Sequence, residues 1–475
     1  MIALSLAEVA SATGGRLAGG AEAGATITGP VVVDSRLAAP GALFVALPGE
    51  HADGHDFAPD AIAAGAVAAL AGRQLDVPCV VVADPLAALA VLARRVIDAL
   101  PGLVVVGVTG SSGKTSTKDL LAVLLADLGP TVAPQGSYNN EIGLPLTALR
   151  CDRTTRYLVA EMGARVPGNI AYLCRITPPD IAVVLNVGAA HAGVFGSRQE
   201  TARTKGELPE ALGEDGVAVL NADDPLVAAM AGRGSGRVLW FGFGPDADVR
   251  AEDIRLDAWS RPSFRLRTRG GDAQVTLPLH GRHHVGNALA AAAVALEQGM
   301  PTGRVAQLLA QARPASRWRM EVTSRPDGVT VVNDAYNANP DSVRAALEAL
   351  AGMGRPVGAP RRRTWAVIGE MLELGDTATA EHDAVGRLAV RLDISRLVAV
   401  GPGARAVHTG AGADGSEGPE STWVPDADAA LDLLRAELAP GDVVLVKASR
   451  SIGLDAVATA LLADVPAAVP AGGVA

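Results

Sequence analysis

One short segment, residues 104–115, constrains the fold of this 475-residue chain more than any other feature. It reads VVVGVTGSSGKT, an apolar strand and a glycine–serine turn, and a helix-forming run continues from it to Leu125. Small residues in such a turn let backbone N–H groups surround phosphate oxygens, and the start of the next helix adds positive potential. Lys114 can reach the outer phosphates, and the Thr115 hydroxyl can bind Mg²⁺. The segment therefore predicts a strand–loop–helix unit that binds a nucleoside triphosphate.

Other uses of a glycine-rich loop fit this sequence less well. The general phosphate-loop spacing, GxxxxGK[ST], would place glycine where this chain has Val108. A dinucleotide-binding loop requires glycine near Lys114, and a short-chain dehydrogenase also requires a Tyr-x-x-x-Lys pair, which none of the four tyrosines provides. A GTPase requires an Asn-Lys-x-Asp guanine site, and the chain contains no Asn-Lys dipeptide. A triphosphate loop of variant spacing remains the prediction.

The length predicts about three domains at ~150 residues each. Pro101-Gly102 and Arg313-Pro314 mark boundaries that divide the chain into residues 1–101, 102–313 and 314–475. Buried strands that alternate with helical patterns predict largely parallel sheets in the second and third parts. Residues 248–279, which alternate between polar and apolar, predict an antiparallel patch.

Composition and charge exclude several classes of protein. The net charge of −10 is too acidic for non-specific binding along a nucleic-acid backbone, so an anionic ligand must meet a local basic site. The cysteines Cys79, Cys151 and Cys174 are far apart and form no CxxC pair, which predicts buried thiols in a reducing compartment. The start of the chain lacks the pattern of a signal peptide, and no apolar run reaches the ~20 residues of a membrane span. We therefore expect a cytoplasmic protein.

Lysine usage points to particular side chains. Only four lysines occur among the 41 basic residues, so each is a candidate for a role that a guanidinium group cannot fill. Lys114 belongs to the loop, and Lys118, one helical turn later, is expected at the surface. The amine of Lys205 can react with CO₂ to give a carbamate, an anionic metal ligand; a purely structural role is equally open.

Two further metal ligands are expected at strand ends. Glu161 ends the apolar run 157–160, and His191 follows the apolar run 181–187. Ligands of open α/β sheets bind outside the carboxyl ends of the strands. A carboxylate, an imidazole and the Thr115 hydroxyl at that edge could hold Mg²⁺ against phosphates.

Taken together, these motifs resemble those of the Mur ligases, the ATP-dependent enzymes that build the peptide of peptidoglycan. The variant loop TGSSGKT at 109–115 is similar to theirs, and the resemblance continues in the same order along nearly the whole chain. Two departures stand out: Ala448 follows Lys447, and Ser316 precedes Arg317, where relatives often have glycine. The other matching motifs lie at 138–140, 161–163, 186–191, 205–207, 284–291, 333–334 and 447–450.

The resemblance implies an α/β fold of three domains: an N-terminal uridine-nucleotide-binding α/β domain, a central P-loop ATPase domain with a mostly parallel sheet, and a C-terminal Rossmann-like α/β domain. Residues 334–342, DAYNANPDS, are similar to the signature of the members that add D-alanyl-D-alanine. Residues 34–36, 43–47 and 53–57 are similar to the uridine-nucleotide-binding domain.

The same resemblance implies a reaction and its partners. ATP phosphorylates the terminal carboxylate of UDP-N-acetylmuramoyl-tripeptide, and the amine of D-Ala-D-Ala attacks the acyl phosphate. The third residue of that acceptor can be lysine or a diaminopimelate isomer. We expect a monomer, without nucleic acid or membrane insertion. Two other classes stay open: an amide ligase that extends folate with glutamate, and a nucleotide-dependent switch protein that performs no chemistry.

Residue roles also follow from the resemblance. Two Mg²⁺ ions are expected on Thr115, Glu161, His191 and carbamylated Lys205; the catalytic set is Lys114, Glu161, His191 and Lys205. The predicted nucleotide-binding residues are Thr109, Gly110, Ser111, Ser112, Gly113, Lys114, Thr115, Asn287, which would contact adenine, Arg317 and Asp334. The predicted substrate-binding residues are Ser35, Asn139, Tyr336, Asn337, Asn339 and Lys447.

Overall fold

The structure is a computed structural model that describes residues 1–49, 52–188, 197–358, 360–412 and 420–464. Within these ranges the strands form sheets of two, five, nine and six strands. The first two sheets lie in the N-terminal part of the chain, the nine-stranded sheet in the middle and the six-stranded sheet in the last part. Every helix in the described ranges is too short or too polar to cross a bilayer.

The N-terminal part is built around a small, mostly parallel sheet. Its strand order is β2-β7-β6-β5-β4, in which only β2 runs antiparallel to its neighbour; β1 and β3 form a separate pair. The strands are β1 (Leu4–Ser5), β2 (Arg16–Ala18), β3 (Thr26–Ile27), β4 (Val31–Val32), β5 (Leu43–Val45), β6 (Ala68–Ala71) and β7 (Cys79–Val81). The helices are α1 (Leu6–Thr13), α2 (Ala58–Ala63) and α3 (Pro85–Asp98).

The middle part contains the nine-stranded sheet, in the order β16-β15-β14-β13-β12-β11-β8-β10-β9. Its strands are β8 (Val104–Thr109), β9 (Thr131–Val132), β10 (Tyr157–Glu161), β11 (Ile181–Val184), β12 (Val217–Asn221), β13 (Arg237–Gly242), β14 (Val249–Leu256), β15 (Pro262–Thr268) and β16 (Gly271–Thr276). Its helices are α4 (Lys114–Leu128), α5 (Gly143–Ala148), α6 (Asn169–Ile176), α7 (Arg198–Lys205), α8 (Glu207–Glu210), α9 (Pro225–Ala228), α10 (His283–Glu297) and α11 (Thr302–Leu309).

The last part contains the six-stranded sheet, in the order β17-β18-β22-β19-β20-β21, with β17 antiparallel and the other strands parallel. Its strands are β17 (Glu321–Ser324), β18 (Thr330–Asn333), β19 (Thr364–Ile368), β20 (Arg396–Val400), β21 (Glu420–Val424) and β22 (Val443–Lys447). Its helices are α12 (Pro340–Gly354), α13 (Ala378–Arg391), α14 (Arg405–Gly412), α15 (Ala427–Glu437) and α16 (Asp455–Ala463).

The N-terminal and middle parts share one buried core. Apolar side chains of α3, including Val96 and Ile97, belong to the same cluster as Leu144 of α5 and Leu173 of α6. That cluster covers one face of the nine-stranded sheet, while α4, α10 and α11 cover the other face. The last sheet has buried clusters of its own on both faces. Apolar burial therefore joins the first two parts more tightly than it joins either of them to the third.

The sequence predictions of architecture are confirmed in outline. The α/β class, the largely parallel middle sheet and the antiparallel strands between 248 and 279 are all present, and the three cysteines are buried and unpaired. The antiparallel patch, however, is an extension of the middle sheet, because β14 pairs in parallel with β13. The expectation that Lys118 lies at the surface is wrong: only 3% of this residue is exposed. The domain limits at 101/102 and 313/314 stay a prediction.

Candidate active site

The carboxyl ends of three middle-sheet strands meet at the phosphate loop. Strand β8 lies between β10 and β11 and is parallel to both, with Glu161 paired to Val108 and Val184 paired to Thr109. Residues that follow these strands therefore share one edge of the sheet, as predicted. Strand β11 stops at Val184, earlier than the predicted Val187, because Asn186 turns to bind the loop.

Residues 186–188 bind the phosphate loop through hydrogen bonds. The backbone N–H of Ser111 donates to the Asn186 carbonyl (3.1 Å), that of Ser112 donates to Asn186 Oδ1 (3.0 Å), and Gly188 N–H donates to Ser111 Oγ (2.9 Å). Gly113 has a φ of +82°, and a β-carbon there would lie 2.4 Å from Asn287 Oδ1. Glycine is thus required where the loop enters α4. Asn287 on α10 is buried directly behind it.

Lys114 and Thr115 begin α4 and face the strand ends. The Lys114 amine donates to the carbonyl of Gly110 (2.6 Å), and burial lowers its pKa, an effect that the nearby Glu161 carboxylate opposes. The Thr115 hydroxyl lies 2.8 Å from Ser137 Oγ and donates to Glu161 Oε1 (3.3 Å). The first turn of the helix therefore presents an amine and a hydroxyl together.

Glu161 is the acidic centre of the site. Its Oε1 accepts a hydrogen bond from Asn139 Nδ2 (2.8 Å) as well as from Thr115. Its Oε2 is buried and has no hydrogen-bond partner among the described residues. A buried carboxylate oxygen without a donor is costly unless a cation or another group completes it. Asn139, predicted to contact the substrate, orients this carboxylate in the structure, and its contact with substrate stays a prediction.

Lys205 ends α7 and is buried, with 3% of the residue exposed. Its amine makes no hydrogen bond or ion pair with any residue in the described ranges. Burial and, secondarily, the charge of Lys114 hold the pKa of Lys205 well below its ordinary value, which favours the neutral amine. The predicted ligand His191 lies outside the described residues. Its position relative to Lys205 therefore stays a prediction.

The last sheet contributes a second group of predicted residues. The buried Lys447 amine donates to Asp334 Oδ2 (2.7 Å) and to the carbonyl of Asn337 (2.9 Å), while Asp334 Oδ1 accepts the N–H of Met320 (3.1 Å). Burial lowers the pKa of Lys447, and the Asp334 carboxylate acts in the opposite direction. This ion pair fixes the start of the 334–342 segment at the carboxyl edge of β18 and β22.

The 334–342 segment reaches across to the phosphate loop. Asn339 caps α12 through Ser342 N–H (2.8 Å), and its Nδ2 donates to the carbonyl of Ser111 (3.4 Å). The structure therefore brings the last sheet against the phosphate loop: Asn339 contacts Ser111 directly, and Tyr336 lies against Arg319, which reaches Thr115.

Arg319 is a site residue that the sequence reasoning missed. Its Nη2 lies 3.3 Å from both Thr115 Oγ1 and Ser137 Oγ, and its guanidinium stands 4.3 Å from the centre of the Tyr336 ring. Arg317, predicted to contact the nucleotide, is exposed, with its guanidinium 5.3 Å from the Trp318 ring. The sequence carries no signal that separates the two arginines, because neither Ser316 nor Trp318, the residues that precede them, is glycine.

The backbone conformation of the preceding residue differs between the two arginines. Trp318, immediately before Arg319, has a φ of +58°, in the left-handed region that favours glycine. Ser316, which precedes Arg317, is absent from the left-handed residues of the described chain. The left-handed residue therefore precedes Arg319 and not Arg317.

Ser35 lies in a different place, at the carboxyl edge of the N-terminal sheet. It starts a short 3₁₀ turn (Ser35–Leu37) that Asp34 caps. Near the end of β5, Asp53 contacts His55 Nδ1 (2.5 Å) and Arg73 (2.7 Å), and the N–H of His55 lowers the pKa of Asp53. Within the described residues, no hydrogen bond joins Ser35 to the phosphate loop.

Comparisons with known proteins match the whole chain. Residues 30–97 match the Mur ligase family, catalytic domain; residues 108–295 match the Mur ligase middle domain; and residues 318–450 match the Mur ligase, glutamate ligase domain. The chain is 53% identical, over 98% of both chains, to a Mycobacterium tuberculosis (strain ATCC 25618 / H37Rv) protein named UDP-N-acetylmuramoyl-tripeptide--D-alanyl-D-alanine ligase.

Solved structures show the same arrangement. MurF from Acinetobacter baumannii has a TM-score of 0.86 and 32% identity, covering 97% of this chain and 99% of that chain. MurF ligase from Thermotoga maritima, solved in complex with ADP, has a TM-score of 0.78 and 30% identity, covering 92% of this chain and 97% of that chain. The three-part α/β fold is therefore shared over nearly the full length.

Replacing Lys447 tests how strongly the last sheet depends on its buried ion pair. Lys447→Met leaves the Asp334 carboxylate buried without its cation, so we expect the free energy of unfolding to fall by about 3–5 kcal/mol. The control is Arg36→Met, which breaks a 2.6 Å pair with Asp34 at the surface, where the Arg36 side chain is 87% exposed. Water screens that pair, so little change is expected. Urea denaturation measures both variants; equal losses would contradict the prediction.

Proposed function

The chain belongs to the Mur ligase family, and we propose that it uses ATP to join D-alanyl-D-alanine to UDP-N-acetylmuramoyl-tripeptide in the synthesis of peptidoglycan precursors. The relatives that match it along its full length are named for this reaction. The observation that carries the proposal is that the 334–342 segment, which resembles the signature of these ligases, lies against the phosphate loop through Asn339 and Ser111.

The reaction requires two anions to approach each other. A carboxylate oxygen of the tripeptide attacks the γ-phosphorus of ATP, and ADP leaves. The amine nitrogen of D-Ala-D-Ala then attacks the acyl carbon and loses a proton, and inorganic phosphate leaves. Little covalent chemistry is asked of the protein, so its main contributions are charge neutralisation and alignment. Lys114 and the backbone of the loop hold the β- and γ-phosphates in this proposal, through N–H groups other than those of Ser111 and Ser112, which donate to Asn186.

The acidic centre fits Mg²⁺. Thr115 Oγ1 and Glu161 Oε1 lie 3.3 Å apart, and Glu161 Oε2 has no donor among the described residues, so the hard oxygen atoms that Mg²⁺ prefers lie close together and one of them needs a partner. When bound there, Mg²⁺ supplies positive charge that offsets the triphosphate. Asn139 keeps the Glu161 carboxylate oriented, as outer hydrogen bonds do around metal ligands. We infer a second position on His191 and modified Lys205.

The state of Lys205 supports its proposed modification. A neutral amine adds to CO₂, forming an N–C bond and releasing one proton, and the product is a carbamate anion. Lys205 has the required properties, because it is buried, lacks an ionic partner among the described residues and has a lowered pKa. The modified side chain would place a negative group where the site otherwise contains an amine.

Arg319 is the arginine that we propose for the triphosphate. It reaches the Thr115 hydroxyl beside Glu161, whereas Arg317 lies exposed on Trp318. Asn287 is buried on α10, directly behind Gly113, where α4 begins. We propose this residue for the predicted contact with adenine. Asp334, predicted to approach the nucleotide, then acts by accepting the N–H of Met320, the residue after Arg319, while Lys447 holds its carboxylate in place.

The remaining partners follow from the same proposal. The uridine end of the acceptor is placed at the N-terminal sheet edge, near Ser35, and the dipeptide near Tyr336, Asn337 and Asn339. We propose that the protein acts in the cytoplasm as a monomer, without nucleic acid or membrane insertion. The third residue of the acceptor can be lysine or a diaminopimelate isomer.

Phosphate release tests the reaction itself. We expect one phosphate per amide bond, and only when ATP, UDP-N-acetylmuramoyl-tripeptide and D-Ala-D-Ala are all present, because the acyl phosphate needs both the carboxylate and the amine. Acceptors with lysine or diaminopimelate at position three are compared in parallel. Control reactions omit the dipeptide or offer a folate acceptor with glutamate. Turnover in either control would favour the switch protein or the folate-type ligase instead.

Lys205 variants test the carbamate. We expect Lys205→Ala to lower kcat by about 100-fold or more, because the reacting groups lose their alignment, and short carboxylates to restore part of the rate. Lys205→Arg should stay inactive with the same additives, since guanidinium fills the space and forms no carbamate. Independently, ¹³C-labelled bicarbonate should give a carbamate NMR signal in the parent and none in Lys205→Arg. Full activity of unsupplemented Lys205→Ala would refute this role.

The two arginines make a matched pair. Arg319→Ala removes a charge aimed at the phosphates, so kcat should fall by about 100- to 1,000-fold, as for other oriented donors. Arg317→Ala removes an exposed side chain two residues away and should leave kcat nearly unchanged. Steady-state kinetics with saturating substrates measures both. The reverse order of effects would return the role to Arg317.

A further inference from the structure

A buried polar network, which the proposed chemistry does not use, connects the phosphate-loop helix to the segment that carries Arg319. It consists of Lys118 and Asp119 on α4 and Ser316 at the start of the last part. Lys118 is 3% exposed and Ser316 is 6% exposed, and the Asp119 side chain is 13% exposed. Ionisable side chains this deeply buried are rare unless they are paired. The presence of this buried network one helical turn beyond Lys114 calls for an explanation.

The network is paired internally. The Lys118 amine forms an ion pair with Asp119 and donates to Ser316 Oγ (3.2 Å) and to the Pro134 carbonyl (3.1 Å). Both oxygens of Asp119 face Ser316: Oδ2 accepts its backbone N–H (3.0 Å), and Oδ1 accepts its hydroxyl (3.2 Å). The helix therefore binds both the backbone and the side chain of one residue in the following segment.

Ser316 anchors the Arg319 segment at its start. At its end, the N–H of Met320 donates to Asp334 Oδ1 (3.1 Å), and the Trp318 carbonyl accepts the N–H of Tyr336 (3.3 Å). Within the segment, Trp318 and Met320 adopt left-handed backbone with φ of +58° and +49°. Each such residue costs of order 1 kcal/mol or more and persists only where its surroundings fix it. Arg319 is thus directed at Thr115 by a strained segment that is held at both ends.

We propose that Asp119, paired with Lys118, is a positioning residue for catalysis. It holds Ser316 and thereby fixes the direction of Arg319 toward the phosphate end of ATP. Lys114, Thr115 and Asp119 belong to the same helix. Asp119 therefore fixes the position of Arg319 relative to the loop that is proposed to bind the phosphates. This inference rests on the proposed role of Arg319 at the triphosphate.

The network could instead serve stability alone, and the two roles differ in one measurable respect. A stabilising network lowers activity by the same factor whether or not Arg319 is present. A positioning network acts through Arg319, so its removal has no further effect once that side chain is gone. A double-mutant cycle measures this coupling directly.

The experiment combines Asp119→Asn with Arg319→Ala in the full chain. We expect Asp119→Asn to lower kcat by about 10- to 100-fold in the parent, as small misplacements of reacting groups do. In the Arg319→Ala background, we expect Asp119→Asn to leave kcat unchanged. Should Asp119→Asn fail to fold because Lys118 is left without its anion, the Lys118→Met/Asp119→Asn variant removes both charges and enters the same cycle.

A matched control lies on the same helix. Asp127, at the far end of α4, pairs with Arg304 of α11 (3.0 Å), so Asp127→Asn also removes a carboxylate that joins α4 to another segment. It touches nothing that leads to Arg319, and kcat should be unchanged in both backgrounds. A decrease as large as that of Asp119→Asn would overturn the positioning role.

A second readout separates this inference from the proposed reaction. The same cycle is measured as affinity for a non-hydrolysable ATP analogue without acceptor, where Asp119→Asn should weaken binding only when Arg319 is present. If the parent binds the analogue but forms no product, the proposed reaction fails while the coupling still decides the positioning role. Equal effects of Asp119→Asn in both backgrounds, or no effect of Arg319→Ala, would overturn the positioning role of Asp119.

Discussion

The concentration of buried amines in an acidic chain is the constraint on which the site depends. Lys114, Lys205 and Lys447 are three of only four lysines, and burial lowers the pKa of each. Of these three, only Lys447 has a direct carboxylate partner among the described residues, in Asp334. The parallel sheets make this possible, because their carboxyl ends bring side chains from distant parts of the sequence to one cleft. In the proposed function, the phosphates of ATP compensate the charge of Lys114, which has no direct carboxylate partner of its own in the described part of the chain.

The sequence was most informative where chemistry is local. The loop at 109–115, Glu161 at its strand end and the unusual lysines could be recognised because strand, turn and helix follow one another directly. Arg319 could not be distinguished from Arg317, since the linker has no periodicity and its register depends on the left-handed backbone at Trp318. The burial of Lys118 was missed for a related reason: its partner Ser316 is distant in sequence and is brought near only by the fold.

The third part of the chain meets the phosphate loop through few but specific polar contacts. Asn339 reaches the Ser111 carbonyl, Arg319 reaches Thr115, and Ser316 is held by Asp119. By contrast, the first two parts are joined by a continuous apolar core. Contacts of the first kind depend on direction and can be exchanged for contacts with a ligand, whereas a shared core resists separation over its whole area. The proposed active site therefore lies at the polar interface with the third part, which is easier to rearrange than the apolar core shared by the first two parts.

The continuous core between α3, α5 and α6 has a consequence for the length of the acceptor in the proposed reaction. It fixes the edge that holds Ser35 relative to the strand end that holds Glu161. An acceptor bound by its uridine end near Ser35, as proposed, must span this fixed separation before its terminal carboxylate reaches the triphosphate. In the proposed function, this fixed separation makes the length of the acceptor peptide a determinant of whether its carboxylate meets the reacting phosphorus.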